Sequence, residues 1–81
     1  MINRTAMLDQ IDEHVGHRLQ LKREAMRFSI SRLAACVDLT EIELSDAEYG
    51  QKRLSASKLF ALSKVLGVHV AYFFEDYCAR Q

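Results

Sequence analysis

Four acids stand within nine residues of this chain, Glu41, Glu43, Asp46 and Glu48, and no base interrupts them between Thr40 and Gly50. Lys, Arg, Asn and Gln are all missing from that stretch. Upstream the balance reverses: Arg18, Lys22, Arg23, Arg27 and Arg32 face only Glu24, a net charge of +4 across Arg18–Arg32. Elsewhere the side chains capable of chemistry are sparse. His14 and His17 sit three residues apart, a spacing that can hold a metal on a helix, yet no acidic or sulfur ligand is spaced to complete a site, so both are read as surface histidines. Cys36 and Cys78 are too few and too distant for a disulfide framework. Cys36 is expected as a small buried residue and Cys78, near the C-terminus, as an exposed thiol open to redox chemistry. No nucleophile–base pair, phosphate-cradling glycine loop or zinc signature can be assembled. The expectation is therefore no catalysis, no metal and no cofactor.

The elements that position these groups follow from composition and period. With 49% apolar residues, no proline and only Gly16, Gly50 and Gly67, the 81 residues suit short-linked helices around one small core. Met7, Ile11, Val15, Leu19 and Met26 trace one stripe of a long first helix, about Met7 to Arg27, with Leu21, Ala25 and Phe28 as a second line. Met7, Leu8 and Ile11 could equally extend the core or form a helix–helix contact between two copies. Ser29 caps a second helix, about Ile30 to Cys36, with Leu33, Ala34 and Val37 facing inward. Thr40-Glu41-Ile42-Glu43 fits a capping box opening a third helix that runs to about Tyr49 and stops at Gly50. Ser55 or Ser57 caps a fourth, with Leu59, Leu62 and Leu66 inside and Gly67 as its end. A fifth helix carries Val70, Phe73, Phe74 and Tyr77, and His69 is read as its start. No apolar run reaches membrane length and no signal-peptide core opens the chain, so the cytoplasm is the expected compartment.

Two short helices joined by a tight turn, with a long helix before and two after, outline a helix-turn-helix. Val15-Gly16-His17-Arg18-Leu19, Leu33-Ala34, Leu39-Thr40, Glu48-Tyr49-Gly50 and Leu62 to Gly67 resemble, in order and spacing, the Cro/CI-type repressor domains of bacteria and their phages. Arg53 to Phe60 and Val68 to Asp76 are similar to a subgroup of small bacterial regulators. The resemblance implies an all-α, five-helix domain spanning 1–81, with a family-like core at 15–76 and a helical extension at 1–14. It further implies a partly buried ion pair between Arg23 and Glu48 that fixes the third helix against the first.

What the resemblance implies about function is divided by the residues themselves. Family members lay the third helix in the DNA major groove, usually as homodimers on two-fold symmetric operators. The matching positions here are Ile30, Thr40, Glu41, Ile42, Ser45 and Asp46, with Lys52 and Arg53 as candidate phosphate contacts and Arg32 of the basic flank as a further DNA- or partner-binding candidate. Ile30 replaces a glutamine that usually touches DNA. Clustered carboxylates oppose the phosphate term that supplies most non-specific affinity, although a carboxylate can accept from cytosine N4. An exposed Ile42 beside Ile30, ringed by acid, also suits a protein surface. Two partners follow as expectations: a DNA operator, or a regulatory protein docked on the same helix.

Overall fold

The computed structural model describes residues 4–77, with side-chain surroundings from residue 10 onward. Four α-helices and one 3-10 turn follow one another: α1 Arg4–Ala25, α2 Ile30–Cys36, α3 Glu41–Glu48, α4 Ala56–Leu66, and the turn Val70–Phe74. The core is one cluster in which Val15, Leu19, Leu33, Ala34, Val37, Leu44, Leu54, Leu59, Leu62, Leu66 and Phe73 are buried together.

α1 ends earlier than the apolar pattern suggests. Arg27 takes a left-handed conformation (φ 62°), its N–H bonds to the Glu24 carbonyl, and the Phe28 N–H reaches back to the Arg23 carbonyl. This is the paired capping geometry usually built on glycine, here carried by an arginine. Met26 lies beyond the last helical residue, so the helical phase no longer aims it at the core, and it is exposed. Leu21 is exposed as well, because it stands two residues, about 200°, around the helix from the buried Leu19. Phe28 is half-buried against the core.

α2 and α3 begin as their cap residues predict. Ser29 Oγ accepts from the Arg32 N–H, and Leu33, Ala34 and Val37 turn inward. Cys36 is exposed, which corrects the expectation of a buried thiol. With Leu33, Ala34 and Val37 defining the inward face of a seven-residue helix, the position between them and the turn points outward. Asp38 (φ 58°) makes the tight turn, and Lys58 at the start of α4 donates to the carbonyls of Val37 (2.7 Å) and Asp38 (3.1 Å). The turn between the two short helices is thus clamped from outside by an ammonium.

α1 lies across α3 with almost no gap. A Cβ on Gly16 would stand inside the contact distance of the Ala47 and Glu48 carbonyl oxygens. Gly50 ends α3 in the left-handed region (φ 75°) and sits against the backbone of Glu13. α4 is capped by Ser55, whose Oγ accepts from the Lys58 N–H, and ends at Gly67 (φ 71°).

The fifth helix is a 3-10 turn instead. His69 Nδ1 accepts from the Ala71 N–H, and the bonds that follow span three residues (Tyr72 to His69, Glu75 to Tyr72). Side chains of α1 take the carbonyls of this segment. Arg18 Nε donates to the Tyr72 carbonyl at 3.0 Å, its guanidinium lies 4.0 Å over the Tyr72 ring, and His14 Nε2 donates to the Glu75 carbonyl at 2.6 Å. A run of β-branched and aromatic residues with its carbonyls held sideways has little reason to continue as an α-helix. His14 is therefore a partly buried tertiary contact, whereas His17 is exposed. The side chains of Met7 and Leu8, and Cys78, lie outside the described residues.

Candidate nucleic-acid interface

Thr40 and Glu43 build the N-terminus of α3. Thr40 Oγ1 accepts from the Glu43 N–H (3.0 Å) and Glu43 Oε1 accepts from the Thr40 N–H (2.9 Å), a closed capping box. The Thr40 backbone N–H first, and the Thr40 hydroxyl second, hold the Glu43 carboxyl below its ordinary pKa. Both side chains are consequently occupied.

The far end of α3 is fixed by charge. Arg23 Nε donates to Glu48 Oε2 at 2.6 Å and Nη2 to Oε1 at 3.1 Å, while Nη1 donates to the Phe28 carbonyl at 2.8 Å. The Glu48 side chain is 2% exposed and that of Arg23 13%. Hydrogen bonding to Glu48 raises the arginine's pKa further above its already high value. A fork-to-fork pair defines orientation as well as distance, so α3 has little freedom to roll against α1.

Between these anchors the outward face of α3 is presented to solvent. Glu41, Ile42, Ser45 and Asp46, together with Ile30 from α2, line one shallow open depression. Ile42 is 74% exposed, the most exposed of the large apolar side chains described. Ile30 is half-buried, its inner side packed on the core.

The bases expected near this face are largely engaged with the protein's own acids. Lys52 Nζ stands 4.0 Å from Glu43 Oε2. Arg53 turns toward α1, where Nε and Nη2 donate to the two Asp12 oxygens at 2.9 and 3.4 Å. Arg32 is exposed on α2 and makes no ion pair among the described residues. Five of the nine candidate contact residues thus converge in the depression. Thr40 is taken up by its cap, and Lys52, Arg53 and Arg32 stand around it. Three tertiary roles carried no sequence signal: Lys58 clamps the turn before α3, Asp12 holds Arg53, and Arg18 holds the segment after α4. Each acts across 20 or more positions of chain, where periodicity is silent.

Among the described residues no three His, Cys, Asp or Glu side chains converge as a metal set, and no described helix is long and apolar enough to cross a membrane.

Comparison with known proteins places this geometry. A helix-turn-helix family model matches residues 19–73, more than half of the chain. An HTH-type transcriptional regulator of Sinorhizobium medicae, itself uncharacterized, is 36% identical over 76 residues, which cover 94% of this chain and 55% of that protein. The chain thus spans about half the length of such relatives. Among solved structures, the clp gene regulator ClgR from Corynebacterium glutamicum superposes with a TM-score of 0.77 at 26% identity, covering 79% of this chain and 68% of ClgR. The restriction-modification controller protein C.AhdI from Aeromonas hydrophila gives 0.74 at 25% identity, covering 78% and 96% respectively. With α2 and α3 set at a clamped turn, the Arg23–Glu48 pair behind them and these relatives alongside, the chain belongs to the helix-turn-helix family, of the Cro/CI type.

Proposed function

We propose that this domain contacts DNA through α3 and regulates transcription as a homodimer in the bacterial cytoplasm, with no catalytic activity and no cofactor. The observation that carries the reading is the rigid, unobstructed outward face of α3 in a domain of this family, backed at one end by the Thr40–Glu43 box and at the other by Arg23–Glu48. Glu41, Ile42, Ser45 and Asp46 meet base edges. Arg32, Lys52 and Arg53 meet phosphates, and Lys52 and Arg53 exchange Glu43 and Asp12 for phosphate oxygens on docking. That exchange makes each contact weaker than one from an unengaged base, because an existing pairing is given up for it. Lys52→Ala should weaken binding to all duplexes alike and lower the salt slope by about one phosphate contact. Affinity and slope equal to wild type would remove Lys52 from the interface.

A second reading has its own support. Ile42 is 74% exposed beside Glu41 and Asp46, an apolar spot with an acidic rim, and such a surface suits a basic protein face as well as a groove. In this reading the domain docks on another regulator or DNA-handling protein and acts as an antiactivator, antirepressor or inhibitor. Ile42→Arg would then abolish capture of the partner while leaving the domain's melting temperature in place.

A further inference from the structure

If α3 meets DNA as proposed above, the side chains left free on its outer face decide which base edges it can accept, and this inference rests on that reading. The capping box engages the Thr40 hydroxyl oxygen with the Glu43 N–H and one Glu43 carboxylate oxygen with the Thr40 N–H, so both side chains are held back against the helix N-terminus. What remains is Glu41, Ile42, Ser45 and Asp46, with Ile30 alongside. Two of these are carboxylates, which when ionised only accept; two are aliphatic; the serine hydroxyl is the one donor. A face of this kind is the chemical inverse of the arginine or lysine face that reads guanine.

The major groove supplies few donors. Cytosine offers the N4 amine and adenine the N6 amine, thymine offers a methyl group, and guanine shows only the acceptors N7 and O6. A carboxylate against guanine meets lone pairs with lone pairs. Against adenine it can accept from N6, but the N7 acceptor lies beside that amine and repels it. Cytosine alone puts an amine next to an apolar C5 edge. On α3, Ile42 and Asp46 are four residues apart and share one face and one depression, which sets an apolar side chain beside a carboxylate in the same way.

We infer that α3 reads the pyrimidine edge: Asp46 and Glu41 accept from cytosine N4 amines, Ile42 packs on the C5 position of cytosine or thymine, and guanine is confined to the opposite strand. Asp46 and Ile42 are then the specificity-determining pair. A C5 methyl fits the same contact, so 5-methylcytosine is accepted where a guanine is refused.

The experiment is selection of a randomised duplex library on the full chain at low salt, followed by titration of the enriched half-site with single base-pair inversions. The expected result is a cytosine whose inversion to guanine weakens binding between about five-fold and a hundred-fold. Asp46→Asn supplies an amide donor in the same shape and should erase most of that discrimination. Replacing that cytosine by 5-methylcytosine should leave affinity undiminished. Enriched sites in which Asp46→Asn leaves the base preference unchanged, or in which C5 methylation costs ten-fold, would overturn the inference while leaving DNA binding intact. Enrichment of no sequence, with no retention of any duplex at low salt, would overturn the DNA-binding reading itself.

Discussion

Arg23 and Glu48 form the most consequential residue pair in the domain, and their energetics are those of a buried charge, not a surface one. The Glu48 carboxylate is almost without solvent, so removing one partner leaves the other desolvated and uncompensated. Glu48→Ala should cost about 3–5 kcal/mol in urea unfolding, a large part of the stability of a small domain. A paired apolar replacement, Arg23→Met with Glu48→Leu, should cost much less. A loss under about 1 kcal/mol for Glu48→Ala would mean that the pair is not holding α3. Glu43 gives the pH dependence. Its folded pKa lies below the ordinary glutamate value of the unfolded chain, so its contribution is fully present above that value and is lost as pH falls through the lower folded one. Glu43→Gln retains an acceptor for the Thr40 N–H and should flatten the acid limb of the stability profile, as unfolding midpoints measured from neutral to acid pH will show. At this scale the caps were legible, because Ser, Thr and Glu at fixed offsets act within one turn. Cys36 was not legible: residue type favours a buried thiol, but its place on a seven-residue helix turns it outward.

At the scale of elements, the closeness of α1 to α3 governs how the outward face is presented. Gly16 faces two backbone carbonyls that cannot rotate aside, so Gly16→Ala should destabilise by about 1–3 kcal/mol despite alanine's better helix propensity. A neutral or stabilising effect in thermal melts would show that the two helices have room to separate. Helix order was legible because apolar spacing and caps agree. The end of α1 was not, since it relies on an arginine in a left-handed conformation where a reader looks for glycine. The fifth helix failed for a tertiary reason. Arg18 bonds the Tyr72 carbonyl inside the Val70–Phe74 turn and His14 the Glu75 carbonyl that follows it, from a helix more than fifty residues away, and no local pattern announces that. Lys58 is a similar case: it resembles a surface base and is spent on the α2–α3 turn.

The whole molecule carries eleven bases and eleven acids, and the fold uses many of them on each other. Arg18 pairs with Glu75, Arg23 with Glu48, Lys52 with Glu43 and Arg53 with Asp12. The acid-rich and base-rich stretches are plain in the sequence, but their pairing across the fold is a property of the packed helices alone. A DNA-binding domain built this way draws on few phosphate contacts, and its affinity should be modest and limited to low and moderate salt. The acidic surface of α3 was likewise legible as a departure from its family, as was the Thr40–Glu43 box that engages two of its polar side chains. Whether this face meets DNA is decided by a fluorescence-anisotropy titration of labelled random-sequence duplex with the full chain at low and at moderate salt. Binding at micromolar protein that weakens as salt rises is the expected result. A flat titration at low salt, with the protein folded, would contradict it and turn the α3 face toward a protein partner.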